Sequence, residues 1–318
     1  MNKIFYRPFG EGAGLIFLII YSLSSCRQHP EILPTIPANQ ILIINSDQSV
    51  DKYKTIQHAF ESEIQVKTIT INLAEKDLSP AALQQHILQI QPLLVYTIGS
   101  KAYIQSAAII KDIPLLFSSM INWRRFTLGA HTYGISLELP AEMPLFIYSY
   151  LFPEIRTLGV LYSEDHNQQW FNLALSQAQE LELSLLGQTV DNSNKIMPAL
   201  QQLLPQVDAI WLISDPVILY NTKQVQKIFA TAAEQQKPIF AYDTLFSKYG
   251  AVLTIAADIP TMGRQAAGFA QDLLKQQPIA EPVQFPAGSH VTLNLTKVHE
   301  YGITINHTAL SVVENIIQ

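Results

Sequence analysis

Gln40-Ile41-Leu42-Ile43-Ile44-Asn45 opens a rhythm that organises the chain. Four aliphatic residues in a row, without alternation, describe a strand covered on both faces, as parallel strands are. Residues 50–63 follow with Tyr53, Ile56 and Phe60 at helical spacing. Residues 66–73 then read as a strand and 79–91 as a helix opened by Ser79-Pro80. A strand at 93–98, a helix at 101–111 and a strand at 114–117 complete this run. The alternation resumes after Pro140, with a helix at 141–151, a strand at 157–162, a helix at 166–182 and a strand at 184–190. Next come a helix at 193–203, a strand at 209–213, a helix at 217–236, strands at 238–241 and 250–254, and a helix at 259–276. Strands alternating with helices at this spacing require parallel sheets with helices on both faces. Two successive runs imply an α/β chain of two lobes.

Composition agrees. Of 318 residues, 48% are hydrophobic and 14% charged, which marks a globular chain and not a disordered one. A chain this long buries about three quarters of the surface its unfolded form exposes. The net charge of −6 with no basic stripe argues against nucleic acid as a partner. There is one cysteine, Cys26, so no internal disulfide holds the fold.

Lys3 and Arg7 precede a short apolar run at 15–23, then Leu23-Ser24-Ser25-Cys26. A basic start, a short apolar run and a small-residue cut site describe a signal peptide over 1–25. The run is about half of the ~20 residues a membrane span needs. Leu23-Ser24-Ser25-Cys26 resembles the bacterial lipobox, which implies a diacylglycerol on the Cys26 sulfur and attachment to a membrane lipid surface. Residues 26–38, with Pro30, Pro34 and Pro37, read as the tether. By resemblance to Gram-negative sorting signals, Arg27 after the cysteine points to the outer membrane.

Ligands of open parallel sheets bind beyond the carboxyl ends of the strands. There the sequence offers Ser46-Asp47, Gly99-Ser100, Ser118-Ser119, Ser163-Glu164-Asp165, Ser214-Asp215 and Tyr242-Asp243. The candidate ligand-binding residues are Ser46, Ser100, Ser118, Ser119, Asn167, Asp215 and Tyr242. Serines at helix N-termini suit a ligand carboxylate, and Asp215 suits an amine, so the set fits a zwitterion held between lobes. Ser and Asp are also the preferred helix caps, and each residue alone reads more readily that way; the ligand reading rests on at least two of them lining a site, since the fold puts these ends on one side. No phosphate loop, nucleophile elbow or zinc-binding helix is present, and the eight histidines are scattered. Neither catalytic residues, a metal nor a cofactor is expected.

The second half carries an ordered pattern: Val207-Asp208-Ala209-Ile210-Trp211-Leu212, Asp215, Pro238-Ile239-Phe240 and Gly250-Ala251. It continues with Gly263-Arg264-Gln265-Ala266-Ala267 and Leu293-Asn294-Leu295 before Tyr301-Gly302-Ile303. With Tyr96-Thr97-Ile98-Gly99-Ser100 and Pro114-Leu115-Leu116-Phe117-Ser118, it resembles the substrate-binding proteins of ABC transport systems, whose best understood members are similar to tryptophan/tyrosine-binding lipoproteins. The resemblance covers about residues 40–305. It implies a type I periplasmic-binding-protein fold, with three crossing strands as hinge and a small polar, amino-acid-like ligand in the cleft. By this reading the first lobe holds 39–138 with about 258–285, and the second holds 139–257 with about 286–318. The implied partner of the monomer is an ABC permease; the alternative is a sensing or regulatory lipoprotein working with a membrane receptor or kinase. The chain departs from the family at His131, where the family has Asn, and at Asp215-Pro216, where it has Asp-Asn. The loop Asn122-Trp123-Arg124-Arg125-Phe126 is bulky and basic. Trp123 and Arg124 read either as ligand contacts or as surface.

Overall fold

The computed structural model describes residues 39–75 and 78–318. The signal peptide, Cys26 and the tether lie outside the described residues.

The first sheet is built from β1 (Gln40–Asn45), β2 (Lys67–Asn72), β3 (Leu94–Ile98), β4 (Leu115–Ser118), β5 (Thr132–Ile135) and β11 (Val283–Gln284). Its order is β2-β1-β3-β4-β5-β11, all parallel. β1 is central, and the pleat sends its side chains to opposite faces. Ile41 and Ile43 meet α1 (Asp51–Glu63) and α8 (Ile259–Leu274). Leu42 and Ile44 meet α2 (Pro80–Ile90) and α3 (Ser100–Ile109). All four are fully buried, each contributing about 1.5–3 kcal/mol of transfer free energy. Gly263 lets α8 rest directly on α1: a Cβ there would lie 2.5 Å from the Ile56 carbonyl oxygen and 2.6 Å from Ala59 Cβ.

The second sheet holds β6 (Thr157–Tyr162), β7 (Ser184–Thr189), β8 (Ala209–Leu212), β9 (Ile239–Ala241), β10 (Leu253–Ala257), β12 (Ser289–Asn294) and β13 (Asn315–Ile317). Its order is β7-β6-β8-β9-β10-β12-β13. One face carries α4 (Glu142–Leu151) and α5 (Glu164–Glu180); the other carries α6 (Ile196–Leu203) and α7 (Thr222–Glu234). α9 (Leu295–Glu300) follows β12.

Three details correct the sequence reading. The second sheet is not wholly parallel, because β12 runs antiparallel to β10. β10 carries the chain out to α8 on the first sheet, and β12 brings it back from β11, so neighbouring strands must run in opposite senses. The helix expected at 217–236 begins only at Thr222. Asp215 Oδ1 holds the intervening turn by accepting from the Val217 and Ile218 amides (2.8 and 3.1 Å), and Asn221 caps α7 by accepting from the Gln224 amide (2.8 Å). The strand expected at 250–254 begins at Leu253, because Gly250, at φ 98°, ends the 3-10 turn Thr244–Tyr249 in the left-handed region that favours glycine.

The chain passes between the sheets at 136–141, at 258 and at 285–288. No helix among the described residues is long and apolar enough to cross a membrane.

Candidate ligand site

A cavity lies between the lobes. The first passage between sheets forms part of its wall through Leu137, Glu138 and Leu139. The first lobe adds only Asn122 and Arg124, from the loop after β4. The second lobe supplies the rest: Pro144 and Tyr148 from α4, Asn167 and Trp170 from α5, Trp211, Ile213 and Ser214 at β8, Tyr242 after β9 and Ile255 in β10.

The aromatic wall is interlocked. Trp211 meets Trp170 edge-on at 5.0 Å and Tyr148 edge-on at 5.6 Å between ring centres. Tyr148 Oη is buried without a hydrogen-bond partner among the described residues, and burial pushes its pKa far up. It is a neutral hydroxyl able to donate or accept.

Both signs of charge line the cavity. Glu138 Oε1 accepts from the Asn122 amide (2.7 Å) and from Ser214 Oγ (2.9 Å), tying the two lobes to one carboxylate. Its Oε2 accepts from Ser136 Oγ at 3.0 Å. Arg124 stands in the 3-10 turn Trp123–Arg125 with its guanidinium 4.8 Å from the centre of the Trp123 ring. Burial lowers its pKa, against the opposing field of Glu138, but a guanidinium stays charged at any physiological pH. Arg124 makes no ion pair among the described residues. Elsewhere the lobes touch through Lys52 and Asp243, 3.7 Å apart, and through Asn122 Nδ2, which donates to Asn167 Oδ1 at 3.1 Å.

The sequence matches the family described as ABC transporter substrate binding protein over residues 39–316. The chain belongs to that family. Solved structures share its fold. An ABC domain from Streptococcus pneumoniae in complex with L-Trp is 23% identical, with a TM-score of 0.64 over 87% of this chain and 100% of that one. A conserved domain protein from Vibrio cholerae is 18% identical, with a TM-score of 0.62 over 88% and 99%. A substrate binding protein with adhesive properties from Clostridium difficile, in a ligand-free, open structure, is 14% identical, with a TM-score of 0.63 over 88% and 99%. No curated protein sequence is similar enough to count as a match.

In this substrate-binding protein the seven candidate residues part company. Asn167 and Tyr242 line the cavity. Burial, followed by the fields of Asp243 and Glu138, pushes the Tyr242 hydroxyl pKa far up. Asp215 does not line the cavity. It is fully buried, and Ser163 N (2.7 Å), Ser163 Oγ (2.7 Å), Asn167 Nδ2 (2.6 Å) and the Val217 and Ile218 amides saturate it. A carboxylate has about four lone-pair sites, so none remains for a ligand amine. Ser46 Oγ accepts from the Ala102 amide (3.0 Å), Ser100 Oγ from the Ile121 amide (3.2 Å), and Ser118 Oγ pairs with the Tyr96 hydroxyl at 2.6 Å. Ser119 is buried at φ 54°. None of these four lines the cavity: Ser46, Ser100 and Ser118 bond within the first lobe, and Ser119 Oγ is buried with no hydrogen-bond partner among the described residues. Sequence reasoning passed over Glu138, Tyr148 and Trp170. A carboxylate between Leu137 and Leu139 was the available signal for Glu138. The aromatics sit in apolar helical periods and look like core.

Proposed function

We propose that this protein is the extracytoplasmic receiver of an ABC uptake system and that its ligand is an amino acid with a large apolar side chain. The observation that carries this reading is the cavity's combination of a guanidinium without an ion pair among the described residues, a carboxylate and an aromatic wall. Arg124 suits the ligand carboxylate, which a guanidinium binds in a two-bond fork. Glu138 supplies the negative field for the ammonium group. Trp170, Trp211 and Tyr148 offer faces and edges to the side chain. The Streptococcus pneumoniae relative, solved with L-Trp, supports the same ligand class. Binding draws the lobes together because the ligand contacts both, and the closed form goes to the permease. The lipobox-like Leu23–Cys26 stretch supports a lipid anchor on Cys26, with the proline-bearing segment after it as reach.

All three tryptophans of the chain lie in or beside the cleft, so intrinsic fluorescence reports on the site without a label. Titration with the standard amino acids, checked by calorimetry, is expected to give saturable binding for those with large apolar side chains. Binding of sugars or nucleosides instead, with none for any amino acid, would overturn the ligand class. For the anchor, Cys26→Ser is expected to move the protein from the membrane pellet to the soluble extract; an unchanged pellet would rule it out. A regulatory lipoprotein on the same fold is the second reading, favoured by Arg27. It predicts unchanged amino-acid uptake when the gene is deleted.

A further inference from the structure

Asp215, Asn167 and Asn122 form a hydrogen-bonded line from the core of the second lobe to the cavity wall, and its sense is forced. A carboxylate only accepts, so Asn167 must turn its Nδ2 toward Asp215, at 2.6 Å. That leaves Asn167 Oδ1, an acceptor, facing Asn122. Asn122 must then turn its own Nδ2 toward Asn167, where it donates at 3.1 Å and also approaches the His166 carbonyl at 3.4 Å. What remains is Asn122 Oδ1. It is buried and receives no hydrogen bond among the described residues; Asn122 as a whole is 2% exposed and is one of the residues around the cavity. A lone asparagine can flip its amide to suit a ligand donor or acceptor. Flipping here would set two buried acceptor oxygens against each other, which the surroundings cannot relieve.

We infer that Asp215, acting through the amides of Asn167 and Asn122, fixes the polarity of the cavity wall, so that the closed cleft selects a ligand presenting a hydrogen-bond donor, an ammonium group, to Asn122 Oδ1. Asn122 comes from the first lobe and Asn167 from the second. The selectivity is therefore assembled by closure: with the lobes apart, nothing orients the Asn122 amide. Asp215 and Asn167 are positioning residues, and Asn122 makes the contact. This inference rests on the reading of the cavity as an amino-acid site.

The test compares L-tryptophan and L-phenylalanine with indole-3-propionate and 3-phenylpropionate, which keep the ring and carboxylate and lack the amine. Asn122→Gly is the informative variant. Asn122 sits at φ 45°, ψ 71°, a conformation glycine adopts freely, so the loop is retained while the amide is lost. The wild type is expected to prefer each amino acid over its des-amino analogue by ~100-fold or more, as sites built around a hydrogen-bonding group do. Asn122→Gly should compress that preference to within about 10-fold, with the amino acid losing far more affinity than its analogue. Asp215→Asn, which can present either an amide nitrogen or an oxygen to Asn167, should compress it in the same direction where the variant folds; Asn122→Gly decides the matter where it does not. Equal weakening toward amine and analogue in Asn122→Gly would make Asn122 structural and overturn the inference. So would a wild type that binds the amino acids without rejecting the analogues, and that result would leave the amino-acid reading standing. Failure of every amino acid to bind, with another solute class binding, would sink the reading and this inference together.

Discussion

The two lobes are built on the same plan and meet the cleft in different ways. In the first, three of the four candidate serines are consumed internally, Ser46 by the Ala102 amide, Ser100 by the Ile121 amide and Ser118 by Tyr96, and Ser119 is buried away from the cavity. Its share of the cavity is confined to Asn122 and Arg124. In the second, the corresponding region carries Trp211, Ser214 and Tyr242, joined by Tyr148 and Trp170 from two helices. One lobe works as a frame bearing a short reading loop, and the other forms most of the binding wall. Strand-end topology says on which side of a sheet a ligand binds; it does not say which lobe supplies the chemistry.

Substitutions can break that comparison, and Asp215→Ala should have the largest effect. Five hydrogen bonds, four of them buried, lose their acceptor, so the second lobe should lose ~3–5 kcal/mol, seen as a Tm lowered by about 10 °C. Ser118→Ala in the first lobe removes one contact, to Tyr96, and should cost only about 1 kcal/mol. Equal melting temperatures for the two variants would show that Asp215 is not the hub the hydrogen bonds describe.

Next in size is Gly263→Ala. Its Cβ would press on the Ile56 carbonyl and Ala59, forcing α8 off α1 at a cost of about 1–3 kcal/mol. Because, among the described residues, the first lobe lines the cavity only through Asn122 and Arg124, ligand affinity measured below the melting transition should stay at the wild-type value. A large affinity loss would mean the frame is not separable from the site.

Arg124→Ala sharpens the contrast from the other side. Melting should barely change, since Arg124 makes no ion pair among the described residues. Affinity for an amino acid should fall roughly 10- to 100-fold by calorimetry, the range for losing a charge-assisted contact. An amidated ligand lacking the carboxylate should be bound equally by wild type and variant.

The smallest effect concerns the hinge. His290, at the start of β12, pairs with Glu314 and lies 3.5 Å from Asp258, where the chain leaves β10. The hydrogen bond to Glu314 raises its pKa above 6.5, helped by the charges of Glu314 and Asp258. A histidine whose folded pKa is raised stabilises fully below its unfolded value and loses that stabilisation as pH rises through the folded one. With the His290 side chain 44% exposed, solvent screening keeps the contribution small. Raising the pH from 6 to 9 should therefore lower the Tm of the wild type slightly more than that of His290→Gln, and identical slopes would remove His290 from the account.

Much of this was legible beforehand. The apolar run at 40–45 marked a strand covered on both faces, and the structure buries Ile41 to Ile44 between two helix layers. Ser79-Pro80 marked a helix start, and Ser79 caps α2 by accepting from the Ala82 amide. The late start of α7 was hidden because Asp215, outside the helix, holds residues 217–218 as a turn. The antiparallel β12 was hidden because its direction follows from two separate crossings of the chain between sheets.

What the sequence determined by itself was the alternation, the two lobes and the side on which strands end, since periodicity and helix starts are properties of neighbouring residues. The site was decided by tertiary structure. Asn122 meets Asn167 across 45 positions, and Glu138 meets Ser214 across 76. A carboxylate such as Asp215 becomes a structural hub, and one such as Glu138 becomes part of a cavity wall, according to how many donors surround it after folding. That number depends on which segments the fold brings together, and no local pattern in the chain records it.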